Sequence, residues 1–155
     1  MVSSRFVSIF WWAVLTTLGD ATSQQESHKF TVGSDLDSQQ NGVVWANPNT
    51  IVSASLSGTL NVFDIRENST WRKLYGPTKA VTSATFEPKS QTFFTGSFDG
   101  SMKGFSADGE CFDVAGGHSA RISGISHDGQ GKVHTAAWDD KVATIDGQKY
   151  TYVVA

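Results

Sequence analysis

The sequence predicts an all-β chain assembled from a repeated four-stranded unit, and three observations carry that reading. First, a pair of strand-like runs around a tight turn recurs as "TIVSASLSGTLNVFDI" at 50–65, "TFFTGSFDGSMKGF" at 92–105 and "KVHTAAWDDKVATIDG" at 132–147. Aligned on the turn, Ser55-Leu56-Ser57-Gly58 matches Ser97-Phe98-Asp99-Gly100 and then Ala137-Trp138-Asp139-Asp140, at spacings of 42 and 40 residues. Self-similarity at such a period marks a repeat architecture. Second, the flanks repeat with the turns. Third, the 155 residues are only 17% charged, 12% aromatic and carry 15 Gly, which suits short strands joined by turns better than helices.

Each unit reads as four short strands. The first is "GVVW" from Gly42, "VTSATF" from Val81 or "ISGIS" from Ile122. A turn-rich linker follows at Ala46 to Asn49, Glu87 to Gln91 and His127 to Gly131, where Pro, Asn, Asp and Gly fix or permit turn dihedrals. The hairpin supplies the second and third strands. A fourth run closes the unit, "WRKLY" at Trp71 to Tyr75 and "CFDV" at Cys111 to Val114, with "HKFTV" at His28 to Val32 ahead of the first unit. The units span about 42–75, 81–114 and 122–155. Strict in–out alternation is weak in "TIVSAS" and "TFFTGS", as expected of strands buried on both faces rather than on one. Small residues at Ser55, Gly96, Ser97, Ala136 and Ala137 would let neighbouring sheets approach closely. Four-stranded blades packed face to face around an axis, a β-propeller, meet these requirements. A sandwich would not need a fixed period.

Residues 1–27 form an apolar N-terminal segment. Arg5 precedes an uncharged, largely apolar run from Phe6 to Leu18, shorter than the ~20 residues of a membrane span. The layout matches a secretory signal with small residues at Gly19 to Ser23, although Asp20 is out of place there. The sequon Asn68-Ser69-Thr70 matters only in a secreted chain. Gly19-Asp20 also resembles a blade turn that lacks a third strand after it. Three readings stand: an artefact of the gene start, which the sequence favours, a signal peptide, or part of a preceding blade.

Several chemistries are excluded by pattern. A net charge of −3 with scattered Lys and Arg gives no field for nucleic acid or an acidic membrane. The lone Cys111 has no neighbouring His or Lys to activate it and reads as a small strand residue. Ser126-His127-Asp128 imitates a hydrolase motif, but adjacent strand residues point to opposite faces. His28, His118, His127 and His134 lack metal-ligand spacing, with His127 and His134 read as exposed or half-buried strand positions. Gly116-Gly117 lacks the Lys-Ser/Thr of a phosphate loop and reads as a turn between blades. No catalytic, metal or cofactor site is expected, no small-molecule substrate is implied, and the chain reads as a recognition protein rather than an enzyme.

The units resemble WD repeats. Gly117-His118 matches the Gly-His pair that opens a WD unit, Asp99 and Asp139 match the Asp of the tight turn, and Phe63-Asp64 stands where Trp-Asp ends the third strand. The resemblance implies a structural hydrogen-bond network of His118, Thr135 and Asp139 in the third unit, with Ile145 at its fourth position, and gives Asp99 and Asp64 places in the same kind of network. Pro77 replaces the His in the second unit and Ser57 the Asp in the first, so packing would have to supply more of the rigidity there. It also implies an upper rim bearing Leu56, Phe98 and Trp138, with Arg121 nearby. Aromatic residues with Arg are typical of interface hot spots.

From about His28 to Gly147 the chain is further similar to the actin-interacting protein one family, most tellingly in "DSQQNGVVW" and "WDD". That resemblance implies a cytoplasmic, non-enzymatic protein that binds actin filaments with cofilin and promotes their disassembly. It also implies an incomplete propeller of about three four-stranded antiparallel blades, a fragment of a two-propeller protein whose known partner-facing residues lie in other blades. Its open ends would favour marginal stability or self-association. A WD scaffold for another complex and a secreted β-protein are the alternatives.

Overall fold

The computed structural model describes residues 5–9, 15–20, 26–31, 39–67, 69–76, 79–147 and 149–154. The described residues form fifteen strands and no helix. They are β1 (Arg5–Ile9), β2 (Leu15–Asp20), β3 (Glu26–Thr31), β4 (Gln40–Asn47), β5 (Thr50–Ser55), β6 (Thr59–Asp64), β7 (Ser69–Tyr75) and β8 (Val81–Glu87). They continue with β9 (Thr92–Ser97), β10 (Met102–Phe105), β11 (Cys111–Asp113), β12 (Ile122–His127), β13 (Lys132–Ala137), β14 (Lys141–Asp146) and β15 (Lys149–Val154). Three four-stranded antiparallel sheets hold β4–β7, β8–β11 and β12–β15 in sequence order, as a WD-repeat propeller with an incomplete set of blades requires. A three-stranded sheet, β1-β2-β3, precedes them.

Two of its strands fall within the N-terminal segment, and β3 pairs antiparallel with β2, so a strand does follow Gly19-Asp20. The segment boundary expected at 27/28 lies inside β3. Asn68 of the sequon and Pro77, the residue replacing His, lie outside the described residues.

The repeat is visible in the backbone. Each second-to-third-strand turn ends on a positive φ: Gly58 at 89°, Gly100 at 84° and Asp140 at 58°. A glycine is required at position 100, where an added Cβ would lie 2.2 Å from the His118 carbonyl oxygen. On the opposite edge, three linker side chains tie down the turn after the first strand. Asn47 Oδ1 accepts from Asn49 N–H at 2.9 Å, Glu87 from Lys89 and Ser90 N–H at 3.0 and 2.6 Å, and Asp128 from Gln130 and Lys132 N–H at 2.7 and 3.0 Å. These are the side-chain-to-backbone bonds for which Asn and Asp are selected in turns.

The first strands β1, β4, β8 and β12 neighbour one another in turn and carry the sheet-to-sheet contact. Asn41 Nδ2 donates to the Val81 carbonyl at 3.1 Å. One repeat on, the Thr82 hydroxyl shares its proton between the Gly96 and Ile122 carbonyls at 3.0 and 2.6 Å. Close approach demands a missing side chain at Gly96, where a Cβ would meet Ile122 Cγ2 at 2.6 Å. Apolar seams fill the gaps between sheets. Phe30 packs with Ile51, Phe63 and Ile65, while Val52, Leu60 and Val62 pack with Val81, Phe86, Phe93 and Phe105. Phe94, Met102 and Val114 then pack with Ile122, Val133 and Ile145. Burial of this kind stabilises by about 25 cal/mol per Å2 of apolar surface removed from water.

Candidate interaction surface

The tight turns line up along one rim because each repeats the same backbone bond. Leu56 N–H donates to Gln39 O at 2.9 Å, Phe98 N–H to Ala80 O at 3.0 Å and Trp138 N–H to Arg121 O at 3.0 Å. The acceptor in each case lies immediately before a first strand, so the turn is pinned to the strand entry of its own sheet. The side chains diverge from there. Leu56 is half-buried beside Gln39, Gln40 and Asn41. Phe98 is 56% exposed and Trp138 69% exposed, although both are large aromatics.

Arg121 joins them. Its guanidinium carbon lies 5.6 Å from the Phe98 ring centroid and 5.2 Å from that of Trp138, within cation–π range of both. Its Nε is buried without a hydrogen-bond partner, and the side chain makes no ion pair with any described residue. Of the four rim residues expected from sequence, the structure thus brings Phe98, Arg121 and Trp138 together and leaves Leu56 one repeat away.

Below this rim sits a buried polar network. His118 Nδ1 lies 2.9 and 3.1 Å from the two carboxylate oxygens of Asp139, and its Nε2 lies 2.8 Å from Thr135 Oγ1. Ser119 N–H donates to Asp139 Oδ2 at 3.0 Å. These bonds tie the strand entry, β13 and the β13–β14 turn into one unit. Burial pushes the Asp139 carboxyl pKa up, but the Ser119 N–H and the His118 ring outweigh it and hold the group below the usual carboxylate range. Ile145 is buried opposite Val133 in the apolar seam and contributes packing.

Asp99 and Asp64 do not join such a network. Asp99 accepts from the Ser101 N–H and hydroxyl at 3.0 and 2.6 Å, fixing its own turn. Asp64 pairs with Arg66 two residues on, and that hydrogen-bonded guanidinium lowers its pKa to about 2.

Sequence reasoning missed two parts of this layer. Tyr150 and Tyr152 set their rings edge-on to His118, with centroids 6.2 and 5.8 Å away, and the Tyr152 hydroxyl bonds to the Gly117 backbone. The spacing of two in "YTY" places both on one sheet face, which is the signal that could have found them. In the first blade Ser53, equivalent to Thr135, donates to Gln40 Oε1 at 2.6 Å, and Asn61 Nδ2 approaches the same oxygen at 3.5 Å. Gln40 belongs to the "DSQQNGVVW" segment, which sequence alone marked as distinctive without assigning it a role.

The remaining polar groups are engaged locally. His127 Nδ1 accepts from Gly129 N–H at 3.1 Å, Asp128 binds its own turn, and His134 Nδ1 lies 3.0 Å from Thr144 Oγ1. Ser126, His127 and Asp128 are therefore strand end and turn. Cys111 is exposed at the start of β11, and partial burial of its thiol raises the pKa, with Lys103 pulling weakly the other way. Among the described residues no three His, Cys, Asp or Glu side chains are grouped to hold a metal ion, and no helix is long and apolar enough to cross a membrane.

The four-stranded sheets, their pinned turns and the His118–Thr135–Asp139 network define a WD-repeat protein, and this chain belongs to that class. The family described as "WD domain, G-beta repeat" matches residues 68–106, from the last strand of the first blade, β7, through the first three strands of the second, β8–β10. Within the class the chain is related, at modest identity, to proteins named actin-interacting protein 1 and WD repeat-containing protein 1. It is 30% identical over 154 residues to Actin-interacting protein 1 of Drosophila melanogaster, covering 91% of this chain and 25% of that protein. It is 30% identical over 126 residues to WD repeat-containing protein 1-B of Xenopus laevis, covering 78% and 21%. With Actin-interacting protein 1 of Caenorhabditis elegans it shares 25% identity over 123 residues, covering 74% and 19%. The chain therefore spans about a quarter or less of the length of these relatives.

Proposed function

We propose that this chain is part of a non-enzymatic, cytoplasmic WD-repeat protein that binds actin filaments together with cofilin and promotes their disassembly. The observation that carries the reading is the similarity, over 91% of the chain, to a protein named for interacting with actin. The surface is compatible with it. The rim offers exposed aromatics and a guanidinium suited to gripping another protein. Co-sedimentation of the chain with actin filaments, with and without cofilin, tests it. The expected result is more chain in the pellet, and less actin remaining there, when cofilin is present. Pelleting that ignores cofilin, or none at all, overturns the actin reading in favour of a WD scaffold serving another complex.

A further inference from the structure

We propose that Phe98, Arg121 and Trp138 form a clamp for a carboxylate on a partner protein, an Asp or Glu side chain flanked by an apolar residue. This inference rests on the reading of the chain as a protein-binding propeller, but not on the partner being actin.

Arg121 is held in place before any partner arrives. Its backbone carbonyl accepts from Trp138 N–H at 3.0 Å, and its guanidinium lies over two aromatic rings at 5.2 and 5.6 Å. A long side chain ordered in advance loses little rotamer entropy on binding. The acids that follow Phe98 and Trp138 in their turns are otherwise engaged or unpaired with it. Asp99 is taken by Ser101, Asp139 by His118 and Ser119, and Asp140 makes no ion pair with Arg121. The clamp thus carries a positive charge with no counter-ion among the described residues. Arg presents its N–H groups as a planar fork that matches a carboxylate. The rings of Phe98 and Trp138, more than half exposed, offer apolar surface on either side of that fork. Together they make an anchor of the residue types that dominate interface energetics.

The test uses the 15N-labelled chain and two peptides, Ac-Leu-Asp-Glu-Leu-NH2 and its uncharged twin Ac-Leu-Asn-Gln-Leu-NH2. The Arg121 side-chain N–H and Trp138 indole N–H resonances are followed on titration. The acidic peptide is expected to shift both saturably, and the twin to bind about tenfold more weakly or less. Arg121→Lys, which keeps the charge and loses the fork, is expected to weaken the acidic peptide by a similar factor. Equal response to the two peptides, or undiminished binding by Arg121→Lys, overturns the clamp. Should Arg121→Lys lose its dispersed spectrum, the exposed Phe98→Ala serves in its place with the same expectation. Filaments that fail to pellet the chain while the acidic peptide binds overturn the actin reading alone. Filaments that pellet parent and Arg121→Lys equally, with no peptide response, overturn the clamp alone.

Discussion

The second and third blades are built to one plan and end up in different surroundings. In β9 all six residues are buried, whereas in β13 buried and more exposed positions alternate. At one register position the difference can be followed residue by residue. Leu60, Met102 and Val142 sit opposite Ala54, Gly96 and Ala136 in successive blades. Leu60 and Met102 are 0% and 1% exposed, but Val142 is 41% exposed. The strand chemistry is the same, while the number of neighbouring sheets is not. Among the described residues, a sheet packs on both sides of the first and second blades and on one side of the third. Alternation is therefore a property conferred by neighbours rather than one carried by the strand itself.

The same contrast appears in how polar groups are used. The third blade has the complete His118–Thr135–Asp139 network beneath its rim. In the second blade the equivalent of Thr135 is Thr95, whose hydroxyl, among the described residues, donates to the Lys103 carbonyl at a long 3.4 Å. Rings dominate there instead: Phe86 and Phe93 lie 4.7 Å apart, and Phe105 is wholly buried. One blade is fixed by directional bonds and the other by packing.

The largest test of this contrast is truncation at the shared register position. Leu60→Ala removes a wholly buried side chain and should cost about 2–5 kcal/mol. Val142→Ala, at the open position, should stay within about 0.5 kcal/mol. Urea denaturation of the two variants beside the parent measures both. Similar losses from the two would mean that the third blade is covered on both faces in solution.

An intermediate effect is expected from the polar layer. Thr135→Val preserves shape and leaves His118 Nε2 without its partner in a buried site, which should cost about 1–3 kcal/mol. Thr95→Val breaks only the long bond and should cost well under 1 kcal/mol, roughly the value of a weak hydrogen bond. Equal costs in the same denaturation assay would show that the second blade depends on its hydroxyl as much as the third does.

How much of this was legible in sequence follows the same division. The repeat, the four strands per unit and the tight turns were readable, because turn dihedrals select Gly, Asn and Asp locally. Gly58, Gly100 and Asp140 all take positive φ where the alignment placed the turn. The His118–Thr135–Asp139 contact was implied by the motif resemblance rather than by local chemistry. Asp64 misled, because a local Arg66 captures it, and no motif encodes that competition. Tyr150, Tyr152 and the Gln40–Ser53 bond escaped because they join segments whose lateral placement sequence alone does not set. The resemblance implied the rim placement of Phe98, Trp138 and nearby Arg121, but the stacking of Arg121 on both rings needed the fold itself, since it joins residues from the second and third blades.

The smallest effect should appear in acid. Burial raises the Asp139 pKa, but the Ser119 N–H and His118 bonds prevail, so its folded pKa lies below the ordinary value of 3.8. A depressed folded pKa contributes stability that is present above the unfolded pKa and is lost as pH falls through the folded one. The parent should therefore lose stability as pH drops below about 4, partly through this group. Asp139→Asn keeps the size and an acceptor oxygen but cannot titrate. It should be less stable than the parent near neutrality, with a shallower decline on the acid side, so that the two curves converge. Asp99→Asn provides the comparison from the second blade: its carboxylate binds only its own turn, and its removal should change the neutral stability less. Midpoints of thermal unfolding between pH 3 and 7 measure all three chains. Parallel curves for parent and Asp139→Asn would show that the third blade's network holds through geometry alone, with the charge on Asp139 contributing nothing.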